Sequence, residues 1–334
     1  MKLSRITAIA SSFLAVILSA PAFAAPGANS ALPGTLNYVE GQVNIGQDAI
    51  NSNAVGTALQ PDESLQTGNG KAEILLTPGV FLRVDDNSSV RMISPSITNT
   101  SVEVEQGRAM VEVAEIHDQN NLRISEGGLV ARLDKKGLYE FDADRQEIVV
   151  FDGKAVVQDG DHDISINGGQ RLDLNSDAKL KAHGFDKDEY KQSDLYQWSS
   201  LRSSYLAEAN VNAASTYVAD GYYGPGWVGA GWYWSPVFGG YTYVPAAGVL
   251  YSPFGFGFYS PLVVYRSPLF FRYGGFGPHY VGGFRSGIAR FHGPVVARGS
   301  VITGRPVVRS APAFRGGFVR GGGFHGGGHF VRGR

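Results

Sequence analysis

The chain has 334 residues, of which 43% are hydrophobic, it contains no cysteine, and its formal net charge is −1. Without cysteine, thiol catalysis, cysteine-ligated zinc and iron–sulfur chemistry are excluded, and a chain of this length buries a core without disulfides. The near-zero charge hides an asymmetry: from Gly221 onward arginine is the only charged residue, at 11 positions, leaving 18 of the 29 basic side chains against all 30 acidic ones before it.

In chain order, Lys2 and Arg5 give a short positive start, and Ile6 to Ala20 is an apolar stretch too short for a comfortable membrane span. Ala22-Phe23-Ala24 supplies the small-x-small pattern of a signal-peptidase site, so residues 1–24 read as a signal peptide cut after Ala24. The expectation is an exported chain of the periplasm, outer envelope or extracellular space, with no transmembrane span after cleavage.

Residues 34–175 alternate with a period of two. Val43-Asn44-Ile45, Val80 to Val84, Val102 to Glu105, Met110 to Val113 and Leu122-Arg123-Ile124 each set apolar groups on one face and polar groups on the other. Ile148 to Phe151 is continuous and reads as a central strand buried on both faces. Gly41, Gly79, Gly107, Gly127, Gly153 and Gly168 punctuate the run, with Pro78-Gly79 and Asp152-Gly153 as turn dipeptides. The expected fold is all-β: roughly ten strands in an antiparallel sandwich, a barrel or a stacked-hairpin, solenoid-like domain.

Asp186 and Glu189 have capping-box spacing and open a helix expected over 186–214. Leu195, Trp198, Leu201, Tyr205 and Ala209 form its apolar stripe, to be packed on the β domain or the segment after it, or offered to a partner. Residues 221–265 carry no charge and crowd Trp227, Trp232, Trp234, Tyr241 and Tyr243 among glycine and proline. Pro245, Pro253 and Pro261 argue against a membrane helix there and for short aromatic hairpins. Residues 266–334 drift into low complexity, rich in arginine and glycine, with too little to bury, and are expected to be disordered.

Three stretches carry a family resemblance: Leu36 to Val43, Leu65 to Leu76 followed by Pro78 to Val84, and Val149 to Val157. They resemble the FecR domain, the periplasmic module of iron-dicitrate-type sensors. The resemblance implies the β fold and an envelope location. The cytoplasmic sigma-binding segment and membrane span of those regulators have no counterpart in the sequence, so anti-sigma activity does not carry over.

Candidate chemistry is sparse. Asp159, Asp161, His162 and Asp163 lack the length and distal glutamate of an EF-hand loop and read as a solvated turn. His325 and His329 are four apart but separated by three glycines, which no helix favours. No G-x-S-x-G elbow is present, and Glu103 and Glu105 share one polar strand face. The expectation is a non-enzymatic protein without cofactor or metal. Trp227, Trp232, Trp234, Tyr241 and Tyr243 are the candidate binding rings, either stacking on sugars or forming the core of a glycine-rich module. Arg315, Arg320, Arg332 and Arg334 are candidate anion contacts in the tail. Two functions follow: an envelope scaffold binding glycans or anionic polymer, or an accessory of FecR-type signalling that contacts an outer-membrane transporter or regulator. Intracellular nucleic acid is set aside because the chain is read as exported, and self-association of the acidic and basic parts is the remaining alternative.

Overall fold

The computed structural model describes residues 31–175, 179–219 and 230–266. The segment read as a signal peptide, Trp227, and the tail arginines Arg315, Arg320, Arg332 and Arg334 lie outside the described residues. Fifteen strands form one sheet. The chain runs through β1 (Thr35–Ile45), β2 (Asp48–Ile50), β3 (Ser64–Leu75), β4 (Val80–Val84), β5 (Ser89–Ser96), β6 (Asn99–Gln106) and β7 (Arg108–Val113). It continues through β8 (Arg123–Glu126), β9 (Leu129–Leu133), β10 (Gly137–Asp142), β11 (Glu147–Asp152), β12 (Lys154–Asp159), β13 (His162–Asn167), β14 (Gln170–Asp173) and β15 (His183–Gly184).

Strand order explains the shape. One half of the sheet runs β13-β12-β9-β8-β6-β5-β3 and the other β3-β4-β7-β10-β11-β14-β15, so the two meet at β3. β3 serves both because its start pairs with β5 and its end with β4, while β1 follows it along nearly its whole length. Beyond β3 the chain lays successive hairpins on alternate halves: β5–β6, then β8–β9, then β12–β13 on the first; β10–β11 and β14–β15 on the second. A single core joins them. Val90, Val102, Ile124, Ala131, Val157 and Ile166 of the first half cluster with Leu82, Val111, Tyr139, Phe141, Ile148 and Val150 of the second. The path is thus a stack of hairpins and the cross-section a two-layered sandwich. Periodicity alone could not separate these readings, because both give the same alternation.

Glycine makes two features of this path feasible. Gly41 on β1 lies opposite Gly70 on β3. A Cβ on Gly70 would sit 2.4 Å from the Glu40 carbonyl oxygen, so only glycine allows the strands this approach. Gly153 carries the chain from β11 in one half to β12 in the other at φ +96°, with the Tyr139 hydroxyl where a Cβ would stand.

The second half-sheet is buried on both faces. Val80, Leu82 and Val84 of β4 belong to the sandwich core, while Phe81 belongs to another cluster on the opposite face. β11 divides likewise, with Ile148 and Val150 inward and Val149 and Phe151 outward. This matches the reading of Ile148–Phe151 as a strand covered on both sides. The cover is α1 (Lys187–Tyr190), α2 (Asp194–Ala219), the hairpins β16–β17 (Gly231–Ser235, Gly240–Val244) and β18–β19 (Val249–Tyr251, Gly257–Tyr259), and α3 (Pro261–Arg266).

The helical expectation is corrected in two respects. Asp186 does cap a helix, accepting a hydrogen bond from the Asp188 backbone N–H at 2.9 Å, but that helix is one turn long and α2 restarts at Asp194. The apolar stripe holds at its two ends, where Leu195 and Ala209 are buried, but in its middle Leu201 and Tyr205 face solvent while Ser199, Ser203, Leu206 and Asn210 are buried. The physical reason lies beneath the helix, where Arg202 and Ser203 bind the buried carboxylates of the sheet and Asn210 binds hairpin backbone, which apolar side chains cannot do. Arg266, the first residue of the expected tail, ends α3, and residues 267–334 lie outside the described residues.

Candidate functional site

The structure separates the candidate rings. Trp232 is 3% exposed and Tyr243 fully buried. With the buried Tyr241, they join Leu75, Phe81, Leu206 and Phe258 in one cluster on the outer face of the second half-sheet. Trp232 meets Phe81 edge-on at 5.1 Å between ring centroids, and Tyr243 meets Phe258 at 5.9 Å. Rings in such contacts have no free face for a sugar, so of the two readings of these three residues the structure favours the core of a module. The cross-strand register that places Trp232 opposite Tyr243 and Trp234 opposite Tyr241 builds that cluster. Trp234 lies at the turn end of the hairpin, 36% exposed, and the turn itself carries the exposed Val237 and Phe238.

Beneath α2 lies a network that alternation alone assigns to solvent. Arg83 of β4, Glu73 of β3 and Glu112 of β7 have no solvent exposure. Arg83 Nε donates to Glu73 at 2.9 Å and Nη1 to Glu112 at 2.6 Å. The helix supplies Arg202 to Glu73 at 2.9 Å and the Ser203 hydroxyl to Glu112 at 2.8 Å. Asn37 of β1 donates to Glu73 and to the Tyr241 carbonyl, and accepts from the Tyr241 N–H. Asn210 binds the Tyr243 and Tyr259 carbonyls and the Tyr259 N–H. Burial pushes the Glu73 carboxyl up, but Arg202 and Arg83 outweigh it and hold the group below its ordinary value. For Glu112 burial prevails over Arg83 and Ser203, and its carboxyl lies above the ordinary value. Two glutamates and two arginines balance in charge, as a buried set must. Its role is to fasten the cover to the sheet.

A second acidic group sits at one end of the sandwich. Glu126, at the end of β8, is fully buried, and among the described residues neither carboxyl oxygen has a partner at full hydrogen-bonding geometry, the Glu147 backbone N–H being its nearby stabilising dipole. Burial, with Asp142 nearby, pushes it up to about 8. Glu140 on β10 is pushed by burial to about 7, against Arg108 and with Asp142. No group of His, Asp and Glu among the described residues is arranged to hold a metal ion. The Asp159–Asp163 turn is exposed, and Glu103 and Glu105 both pair with Arg91.

In contrast, no element among the described residues covers the outer face of the first half-sheet. A groove of about 360 Å³ crosses it, lined by Asn121, Arg123, Val130, Arg132, Val156, Gln158 and Asp163. Sequence reading passed over it because the residues come from four separate stretches. The available signal was register, which places Arg123 directly opposite Arg132.

No curated protein sequence matches this chain. Two crystal structures of a protein proposed to be an anti-sigma factor from Parabacteroides distasonis are similar to it, at 13% and 12% identity and a TM-score of 0.33 each. Each alignment covers 38% of this chain and 61% or 62% of the other, so this chain spans about three fifths of those structures. The family described as FecR protein matches residues 63–156, from the entry of β3 to β12. The stretch includes the Leu65–Val84 segment and most of the closing Val149–Val157 strand pair that carried the resemblance, and the fold around it is mostly strand. This chain therefore carries a FecR domain across residues 63–156.

Proposed function

We propose that this protein is a non-catalytic, FecR-type contact module of cell-envelope signalling, recognising another envelope protein, a transporter or a transmembrane regulator. The FecR match over residues 63–156 carries the reading. The burial of Trp232, Tyr241 and Tyr243 supports a protein partner over a glycan, because it withdraws three of the five candidate rings from stacking on sugars. The uncovered face of the first half-sheet supports it further, since among the described residues the cover packs on the other half. Export follows from Lys2, Arg5 and Ala22-Phe23-Ala24, with cleavage after Ala24. No helix among the described residues is long and apolar enough to cross a membrane.

Capture from envelope extract with the full mature chain tests the reading. The expected catch is a transporter or membrane-spanning regulator. Recovery of glycan alone, without protein, would refute it. N-terminal sequencing of the fractionated protein tests export, with Ala25 as the expected first residue and an intact cytoplasmic Met1 as the contrary result.

A further inference from the structure

We propose that the groove across β8, β9 and β12 binds a carboxylate side chain of a partner protein, held between Arg123 and Arg132. The inference rests on the reading of this protein as a protein-contact module and names the surface that makes the contact.

The observation is an exception to the sheet's own pattern. Elsewhere a strand arginine faces an acid on the neighbouring strand: Arg83 faces Glu73, Arg91 faces Glu103, and Arg108 faces Asp142. Arg171 faces His183 and reaches Glu147 at 2.8 Å. Arg123 and Arg132 instead face one another, and like charges directly opposite in an antiparallel pair destabilise it. Arg132 is neutralised by Asp134 at 2.6 Å. Among the described residues Arg123 donates through Nε alone, to the neutral Asn121 oxygen at 3.1 Å, which leaves both Nη groups for a ligand in the groove.

A guanidinium presenting two parallel donors matches a carboxylate better than any neutral group. Val130 and Val156 supply an apolar floor for a short methylene stem, and Asn121 and Gln158 supply amides for neutral polar groups beside it. Asp163 on the lining disfavours a second negative charge. A single aspartate or glutamate side chain has this combination of features. A sugar acid shares the carboxylate, but the groove lacks the aromatic platform on which a sugar ring stacks.

The test uses the full mature chain at low salt. The capped glutamate Ac-Glu-NH2 and its neutral counterpart Ac-Gln-NH2 are titrated while the arginine Nε–H signals are followed by NMR, with glucuronate as a third probe. Ac-Glu-NH2 is expected to shift the Arg123 and Arg132 signals and Ac-Gln-NH2 to leave them in place. The Arg123→Gln/Arg132→Gln variant should lose about tenfold or more in affinity for Ac-Glu-NH2. Its melting temperature should change little, since the variant removes the facing like charges together with the half-exposed Arg132–Asp134 pair, each a small term, so lost binding would not reflect lost folding. Equal response to both peptides, tighter binding of glucuronate, or undiminished binding by the variant overturns the proposal. If the variant still captures the same envelope protein as the native chain, this site falls while the protein-contact reading stands. If neither captures protein, that reading falls, and the titration still decides whether the groove is selective for carboxylate.

Discussion

Arg83 is a guanidinium without solvent exposure, and both of its acid partners are buried with it. Removing one member of such a set leaves the others uncompensated in a low dielectric, which costs about 3–5 kcal/mol. Arg83→Met should therefore lower stability by that order in urea denaturation. Adding Glu73→Gln and Glu112→Gln should recover part of the loss, because the stranded charges are gone. Equal stability of Arg83→Met and the native protein would show that the network contributes nothing. Glu126 gives a second test with a defined sign. Its folded value of about 8 lies above the ordinary glutamate value of about 4.3, so between these limits the folded state holds a proton that the unfolded chain releases. Stability is then fully present at low pH and is lost as pH rises toward and through 8. Glu140, at about 7, acts in the same direction. The urea midpoint should fall between pH 5 and 8.5, and Glu126→Gln should flatten that slope. A midpoint independent of pH would exclude this account. The network was not legible beforehand, because alternation assigns Arg83 and Glu112 to a surface face and cannot reveal what later covers it; Glu126 falls on the inward face with Ile124, where a carboxylate at a strand end reads as the start of a turn.

At the scale of elements, α2 shows how far a periodicity argument reaches. The helix itself was readable from the Asp186 and Glu189 spacing and from the stripe, whose Leu195 and Ala209 are buried. The middle of its buried side was misread because Leu201 and Tyr205 look more buriable than Ser199, Ser203 and Asn210. Asn210 makes three hydrogen bonds to the two aromatic hairpins, and Ser203 binds Glu112. Asn210→Ala leaves buried backbone groups without partners, so a loss of about 1–3 kcal/mol is expected. Leu201→Ser on the opposite side should stay within about 0.5 kcal/mol. Denaturation curves of the two variants decide between the stripes, and a reversed ranking would restore the apolar one. The β strands were legible for the opposite reason: each has a side facing the common core, and that side obeys the period of two even where the other side is covered. The arginine groove lies between these cases, since its strands were readable but their pairing register was not.

For the whole molecule, the consequence is that residues 34–175, which the sequence delimits as a domain, do not close their own hydrophobic surface. Leu75, Phe81, Met110, Leu138, Val149 and Phe151 are all buried, and their neighbours across the outer face include Leu195, Leu206, Trp232, Tyr243 and Phe258 from the cover. Fully burying a side chain of this kind stabilises by about 1.5–3 kcal/mol relative to exposure. Six such residues uncovered together would exceed the net stability of many domains, even allowing for the compactness of unfolded chains. The cover also supplies Arg202 and Ser203, so its removal would leave Glu73 and Glu112 with fewer partners as well as exposing apolar rings. A fragment ending at residue 175 is therefore expected to aggregate or to bind a hydrophobic dye, and to unfold at lower urea than the full chain. In the full chain, tryptophan fluorescence, which reports the cover through Trp198 and Trp232, should change at the same urea concentration as the strand signal in circular dichroism. Two separated transitions, together with a soluble fragment as stable as the full chain, would show that cover and sandwich are independent modules and that the buried network is incidental to the fold.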